Sequence, residues 1–108
     1  MGRQTADKRP LFSISIAAER LDLHPQTLRQ YERQGLIKPA RRGSNRMYSE
    51  YDIERIEQIQ RLTRDMGVNL AGVEIVLKLL DQLAQLQEDV DALRQQRLPV
   101  PYLDENPR

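Results

Sequence analysis

The 108-residue chain contains no cysteine and a single histidine, His24. Without thiols, the protein cannot form disulfide bonds, bind a metal through cysteine, sense redox through a thiol or use a cysteine nucleophile. His24 has no second histidine or cysteine with which to complete a metal site, and its position before Pro25 is typical of a residue that caps a helix. We therefore expect no metal and no other cofactor.

Long apolar runs are missing as well. No run approaches the ~20 residues that a membrane-spanning helix needs, and Met1–Pro10 lacks the apolar core of a signal peptide. Serine and aspartate residues occupy capping positions and do not cluster into a nucleophile with its base. These absences predict a cytoplasmic protein that has no membrane partner and is not an enzyme.

A strong net charge is also absent, since the formal charge at pH 7 is +1. This near balance conceals an asymmetry. Residues 1–64 hold 13 basic and 8 acidic residues, whereas residues 65–108 hold 4 basic and 8 acidic residues. The first part suits a polyanion such as nucleic acid, and the second does not. At this length we expect one domain with an appendage, and a core so small that oligomerisation would help to stabilise it.

Basic side chains are concentrated between Gln26 and Arg46, where there are six basic residues and one acid, Glu32. Pro25 can begin a helix in this segment and Gly35 can end it. A shorter helix, capped by one of two nearby serines, precedes it. Two short helices joined by a tight turn, the second polar and basic on its outer face, are typical of a helix-turn-helix.

Residues 37–48 predict a two-stranded wing with a glycine-containing turn at its tip. A basic helix followed by a basic hairpin indicates a winged helix-turn-helix that reads DNA. The best candidates for contacts to base edges are Gln26, Arg29 and Gln30. The candidates for phosphates or the minor groove are Arg33, Lys38, Arg41, Arg42 and Arg46. Tyr48, at the end of the wing, could donate to a phosphate or could serve only in packing.

After the wing, Ser49 and Asp52 predict a capping box for a third helix, Gly67 predicts its end, and Asn69 predicts the cap of a further helix. No proline or glycine interrupts residues 73–98, so a boundary between a fourth and a fifth helix is not visible.

Apolar residues three and four apart then form about two and a half heptads. They predict a dimer seam formed by Val76, Leu79, Leu83, Leu86, Val90 and Leu93. The alternative is an amphipathic helix that packs on its own domain. Valine at the first core position and leucine at the second is the preference of a parallel coil, but so short a run does not settle the orientation.

Four segments carry a family resemblance: ISIAAERL, HPQTLRQYERQGLIKP, RMYSEYDIERIEQIQRL and DMGVNLAGV. With the patterns TLR-x-YE-x-x-GLI-x-P and R-x-Y-x-x-x-D that they contain, residues 12–77 resemble the MerR family of bacterial transcription regulators. The VNLAGV segment resembles the heat-shock repressor branch of that family, known as HspR.

The resemblance implies a mainly α fold: a winged helix-turn-helix with a small β-hairpin wing, a second helix pair and a C-terminal, antiparallel dimerisation coiled-coil helix. It implies that Gln26, Thr27, Arg29 and Gln30 lie on the recognition helix and Arg46 and Tyr48 on the wing. It further implies a nucleoid-associated repressor of chaperone genes that binds inverted repeats in double-stranded DNA as a homodimer, with the Hsp70 chaperone DnaK as co-repressor. The missing cysteines exclude the metal and redox sensing of other members.

We therefore expect a flexible arm over residues 1–11, the DNA-binding domain over 12–77, the dimerisation helix over 78–97 and an extended or disordered tail over 98–108. The tail could bind a chaperone through its apolar residues or could simply fray. Two other hypotheses stay open: a MerR-type regulator that responds to another signal, and an architectural protein that bridges DNA.

Overall fold

A computed structural model describes residues 6–97 of the chain. The elements in this part are, in order, β1 (Phe12–Ser13), α1 (Ile14–Leu21), α2 (Pro25–Arg33), β2 (Ala40–Arg42), β3 (Asn45–Tyr48), α3 (Glu50–Gln60), a π-helical turn (Arg61–Asp65) and α4 (Leu70–Arg97). The predicted fold class, a mainly α winged helix-turn-helix with a long C-terminal helix, is confirmed. The predicted tail, residues 98–108, lies outside the described residues.

Helices α1 and α2 form the predicted helix-turn-helix. Ser13 caps α1, because its hydroxyl accepts the Ile16 N–H at 3.3 Å. Asp22 ends α1 in the left-handed conformation, with φ 55°, and so turns the chain towards α2 within three residues. His24 caps α2, because its Nδ1 accepts the Gln26 N–H at 3.0 Å. The lone histidine therefore has the capping role that its position predicts.

A third strand, β1, joins the wing, which the sequence predicts as two-stranded. The strand order is β1-β3-β2 and both pairings are antiparallel, with Phe12 opposite Tyr48 and Arg41 opposite Arg46. Strand β1 has two residues and runs directly into α1, so it leaves no alternating pattern in the sequence. The extended backbone that Ser13 adopts as an N-cap, φ −68° and ψ 166°, also suits strand pairing.

The described part of the segment before β1, residues 6–11, is hydrogen-bonded to β3 and α3, and the flexible arm over residues 1–11 stays a prediction. The Leu11 N–H donates to the Tyr48 carbonyl at 2.9 Å, and the Tyr51 N–H donates to the Asp7 carbonyl at 2.9 Å. The Lys8 ammonium lies 4.8 Å from the centroid of the Tyr51 ring. Backbone pairing thus continues from β1 towards the N-terminus, past the point where the sequence shows any apolar periodicity.

One apolar cluster forms the core and joins both helices of the helix-turn-helix to β3, α3 and the first turns of α4. Its largest fully buried side chain is Tyr48. Burial of each large apolar side chain stabilises the fold by about 1.5–3 kcal/mol, so the cluster fixes the positions of all the elements that contribute to it. Its members are Ala17, Ala18, Leu21, Leu28, Tyr31, Leu36, Ile37, Tyr48, Ile53, Ile56, Ile59, Val73 and Leu77.

Helix α3 begins with the predicted capping box. The Ser49 hydroxyl accepts the Asp52 N–H at 3.1 Å, and the Asp52 carboxylate accepts the Ser49 N–H at 2.9 Å. The helix widens into a π-helical turn at its end, where the Met66 N–H donates to the Arg61 carbonyl at 3.2 Å. Gly67 follows with φ +68°, and the predicted end of the helix is therefore confirmed.

Helix α4 is continuous from Leu70 to Arg97. The Asn69 side chain accepts the Gly72 N–H at 2.8 Å and caps the helix, as predicted. The second member of the predicted helix pair and the dimerisation helix are therefore parts of one helix. The chain divides into two compact units between Leu77 and Lys78. The assignment of separate DNA-binding and dimerisation roles to them stays a prediction.

Gly35 ends the turn after α2 with φ +76°, and no described atom beyond its chain neighbours lies within 4 Å of the place that a Cβ would take. Gly35→Ala should lower the free energy of unfolding by about 1 kcal/mol, through backbone conformation alone. Chemical denaturation followed by circular dichroism measures the change. Gly35→Asn is the matched control, because asparagine adopts this conformation more readily and should lose less. Equal losses in both variants would contradict the conformational explanation.

Candidate DNA interface

Helix α2 is held in place by one apolar face and exposes polar residues elsewhere. Leu28 and Tyr31, three residues apart, are 0% and 7% exposed in the core. Gln26 and Gln30 are exposed. Since these glutamines are four residues apart, they lie on one face of the helix and can present their amides side by side. An exposed glutamine amide has the donor and acceptor that match an adenine edge.

The remaining predicted residues of the recognition helix differ in exposure. Arg33 is exposed, whereas Thr27 and Arg29 are half-buried. Half-burial does not withdraw an arginine from a ligand, because its aliphatic stem can cover apolar surface while the guanidinium extends outward. Arg29 is close enough to Tyr48 to act on the pKa of the Tyr48 hydroxyl, so its charge lies near the junction of the helix and the wing.

The wing carries the other predicted cations. Lys38, Arg41 and Arg42 are exposed, and Arg46 is half-buried. The turn between β2 and β3 contains Gly43 with φ +63°, as expected for a glycine at the tip of a short hairpin. Arg41 and Arg46 are direct cross-strand partners, and like charges in that position destabilise a strand pair. The wing therefore needs a counter-charge.

Glu32, from α2, supplies that counter-charge. Its Oε2 accepts a hydrogen bond from Arg41 Nη2 at 3.1 Å, and its Oε1 accepts one from Arg46 Nε. Partial burial acts to raise the pKa of Glu32, but the hydrogen bonds and charges of Arg46 and Arg41 outweigh it, so the pKa lies below its ordinary value. Glu32 is therefore ionised at neutral pH and links the recognition helix to both strands of the hairpin.

Tyr48 does not offer a hydroxyl to the surface. Its side chain is 0% exposed, and its hydroxyl forms no hydrogen bond within the described part of the chain. Burial raises the pKa of Tyr48 to about 12, so the ring stays neutral at physiological pH. A phosphate could reach this hydroxyl only after the residues that cover it had moved. Tyr48 thus packs in the core, and its contact with a phosphate stays a prediction.

Two long-range contacts help to position the interface, one hydrogen bond and one ion pair. Neither could be predicted from the sequence. The Arg55 Nε of α3 donates to the Leu36 carbonyl at 2.8 Å and holds the turn that follows the recognition helix. Arg20 of α1 forms a two-pronged pair with Glu50 of α3, at 2.8 and 3.1 Å. The partners are 19 and 30 residues apart, and no local spacing rule relates residues at such distances.

The structure thus gathers part of the predicted site into one cluster. Glu32, Arg41 and Arg46 are in direct contact, with Tyr48 and Arg29 close by. Within residues 6–97, no carboxylate forms an ion pair with the other predicted cations, so their charges are not locally cancelled. These cations are Arg29, Arg33, Lys38 and Arg42.

The predicted dimer seam is largely exposed on α4. Leu79, Leu83, Leu86 and Leu93 are between 54% and 61% exposed. Val76 and Val90 are half-buried. Ile75 and Leu80 are also exposed, which the heptad pattern did not indicate. Large apolar side chains that remain exposed together on a helix are typical of an interaction surface. Over residues 6–97, no helix is both long and apolar enough to cross a membrane.

Comparison with known proteins agrees with this geometry. Residues 12–80 match the family described as MerR HTH family regulatory protein. The chain is 51% identical over 79 residues to the Streptomyces coelicolor protein named as heat shock protein HspR, an alignment that covers 72% of this chain and 52% of that one. It is 36% identical over 69 residues to the HTH-type transcriptional regulator GlnR of Bacillus anthracis, with 63% of this chain and 53% of that one covered.

A third relative is covered over more of its length. The chain is 36% identical over 89 residues to a heavy metal-dependent transcriptional regulator of Haemophilus influenzae, which covers 81% of this chain and 69% of that protein. The chain spans about half the length of HspR and GlnR. The matched family is one of regulatory proteins, and GlnR and the Haemophilus influenzae protein are named as transcriptional regulators, in agreement with the prediction that the chain is not an enzyme. The chain belongs to the MerR family of helix-turn-helix transcription regulators.

Proposed function

We propose that this protein is a sequence-specific repressor of heat-shock and chaperone genes that binds inverted repeats in double-stranded DNA as a homodimer, with DnaK as co-repressor. The observation that carries the DNA-binding part is the basic surface made by α2 and the wing. Gln26 and Gln30 are exposed on one face of α2, whose opposite face is fixed in the core. Arg42 and Lys38 add exposed charge on the neighbouring segment.

In this proposal three sets of residues have different roles. Gln26, Arg29 and Gln30 contact base edges, because amide and guanidinium groups match adenine and guanine in two-pronged geometry. Thr27 and Arg33 support the helix on the DNA backbone. Lys38, Arg41, Arg42 and Arg46 contribute charge towards phosphates, which gives affinity without sequence preference. Such a protein acts on the nucleoid in the bacterial cytoplasm.

The dimer is supported by the exposed leucines of α4. One recognition helix covers few base pairs, so a two-fold dimer doubles the contacts and requires a palindromic site. We propose that Val76, Leu79, Leu83, Leu86, Val90 and Leu93 form the seam, with antiparallel helices as the family resemblance implies. The heat-shock role is supported by the 51% identity to the protein named HspR.

Two other functions compete with this one. The relatives include proteins named GlnR and a heavy metal-dependent regulator, so a MerR-type regulator with a different signal is the first alternative. An architectural protein that bridges DNA is the second. Footprinting separates the second from a repressor, because a repressor protects one inverted repeat and an architectural protein protects broadly.

Arg29→Ala should weaken binding to the preferred duplex by about 1–3 kcal/mol and relax the preference at one base position. The preferred duplex is obtained by selection from a random pool with the wild-type protein, and affinities are measured at several salt concentrations. Arg42→Ala is the matched control: it should weaken all duplexes similarly and reduce the salt slope by about 1. If the wild-type protein selects no common sequence, the proposed function is wrong. If Arg29→Ala weakens binding to all duplexes equally, Arg29 does not read a base, but the proposed function still stands.

Leu83→Asp should convert the dimer to a monomer, because it places a charge in the centre of an apolar seam. Sedimentation equilibrium measures the change in mass, and the affinity for the selected inverted repeat should fall while the affinity for a single half-site is retained. Gln82→Asp is the control, since it adds the same charge at an adjacent exposed position. A Leu83→Asp protein that remains dimeric would exclude this seam.

DnaK should increase the occupancy of the target sites, and unfolded protein should reverse the increase by occupying the chaperone. Genomic footprinting in cells with and without DnaK measures both the sites and their dependence on the chaperone. We expect protection of inverted repeats near chaperone genes that weakens when DnaK is absent. Equal protection of the same repeats without DnaK would contradict the proposed co-repressor role of DnaK, but not the proposed repressor function.

A further inference from the structure

We propose that Glu32 is a specificity-determining residue, which withholds the wing arginines Arg41 and Arg46 from the phosphates of random DNA and so suppresses sequence-independent binding. The inference rests on the proposed DNA-binding function and assigns a role to the one acidic residue of the interface. It concerns how the affinity is divided between selected and random DNA, and not which bases are read.

The contacts account for both oxygens of the carboxylate. Oε2 is occupied by Arg41 Nη2 at 3.1 Å and Oε1 by Arg46 Nε. The Glu32 side chain is 22% exposed and that of Arg46 is 25% exposed, so this pair is partly screened from solvent, while Arg41 is 47% exposed. A phosphate that takes either arginine must compete with a carboxylate that is already in contact with it.

The charges of the cluster determine which DNA is more affected by the competition between Glu32 and phosphate. Two arginines and one carboxylate leave a net charge of +1 on the cluster, and the neighbouring Tyr48 adds none because it stays neutral. Random DNA meets the wing through charge alone, so half of the wing pair's attraction is cancelled. Selected DNA also engages the recognition helix, and contacts there compensate for the weaker wing.

Glu32 also orients the arginines that it pairs. Each guanidinium has five N–H donors, and the observed bonds use one donor of Arg41 and one of Arg46. The remaining donors have directions fixed by the carboxylate on α2. A phosphate can therefore meet both guanidinium groups without breaking the cluster only where α2 lies at one particular position on the duplex. The wing arginines then add more affinity when α2 is correctly docked on the DNA than when it is docked elsewhere.

The test compares the affinity for the selected duplex with the affinity for a random duplex of the same length. Glu32→Gln removes the charge, keeps the length of the side chain and has a similar helix propensity. Its affinity for random DNA should rise about three- to tenfold at 0.1 M salt, with a salt slope steeper by about 1. The ratio of selected to random affinity should fall by about threefold or more.

Two controls separate release of the arginines from a change in net charge. Glu19→Gln removes the same charge from an exposed position on α1 and should leave the affinity ratio unchanged. Glu32→Asp keeps the charge but is too short to hold both arginines, so it should still raise the affinity for random DNA. Thermal unfolding establishes that each variant is folded, and Glu32→Asp carries the test if Glu32→Gln is not.

A double-mutant cycle tests the pairing itself. Arg41→Gln should reduce the affinity for random DNA by a factor at least about three times larger in the Glu32→Gln protein than in the wild type, because only there is Arg41 released. Equal factors in both backgrounds, or an unchanged affinity ratio in Glu32→Gln, would overturn the role of Glu32. In those cases the wild-type protein would still prefer its selected duplex, so the proposed function would stand.

Discussion

Burial of the Tyr48 ring is the interaction on which the DNA-facing part of the molecule depends. Tyr48 ends β3, lies opposite Phe12 of β1, and fills the core between the wing and α3 with no exposed surface. A hairpin as short as β2–β3 is at best marginally stable alone. The Tyr48 ring therefore anchors the hairpin to the core, together with the β1 pairing and the Glu32 contacts, and so helps to position the cations of the wing.

Charge balance is the second constraint on the interface, because its surface is not uniformly basic. The register of the wing places Arg41 opposite Arg46, and Glu32 lies against both. A purely basic surface would bind any DNA, whereas a surface with one internal anion gives up affinity for random sequence. Specificity is a difference between two affinities, and it can be gained by weakening the wrong complex as well as by strengthening the right one.

The sequence predicted the parts of this fold that rest on local rules. The capping box of Ser49 and Asp52 and the glycine stop at Gly67 are decided by residues within a few positions of each other, and each is confirmed. Strand β1 could not be predicted, because two residues carry no periodicity and its partner Tyr48 is far along the chain. The same limit applies to the site. Exposure of Gln26 and Gln30 follows from helical spacing, but the Glu32 pairs and the burial of Tyr48 depend on how the wing folds back on α2.

The pairing of Phe12 with Tyr48 closes residues 12–48 into a loop that contains all the residues proposed to contact DNA. The conformational entropy of closing this loop is lost once, when β1 pairs with β3. Helices α1 and α2 and strand β2 are enclosed by that same pairing. Opening of the wing would break the β1 pairing and uncover the core beneath α2, so the helix and the wing should exchange their amide hydrogens as one cooperative unit. We therefore expect the helix and the wing of the proposed reading surface to engage DNA together.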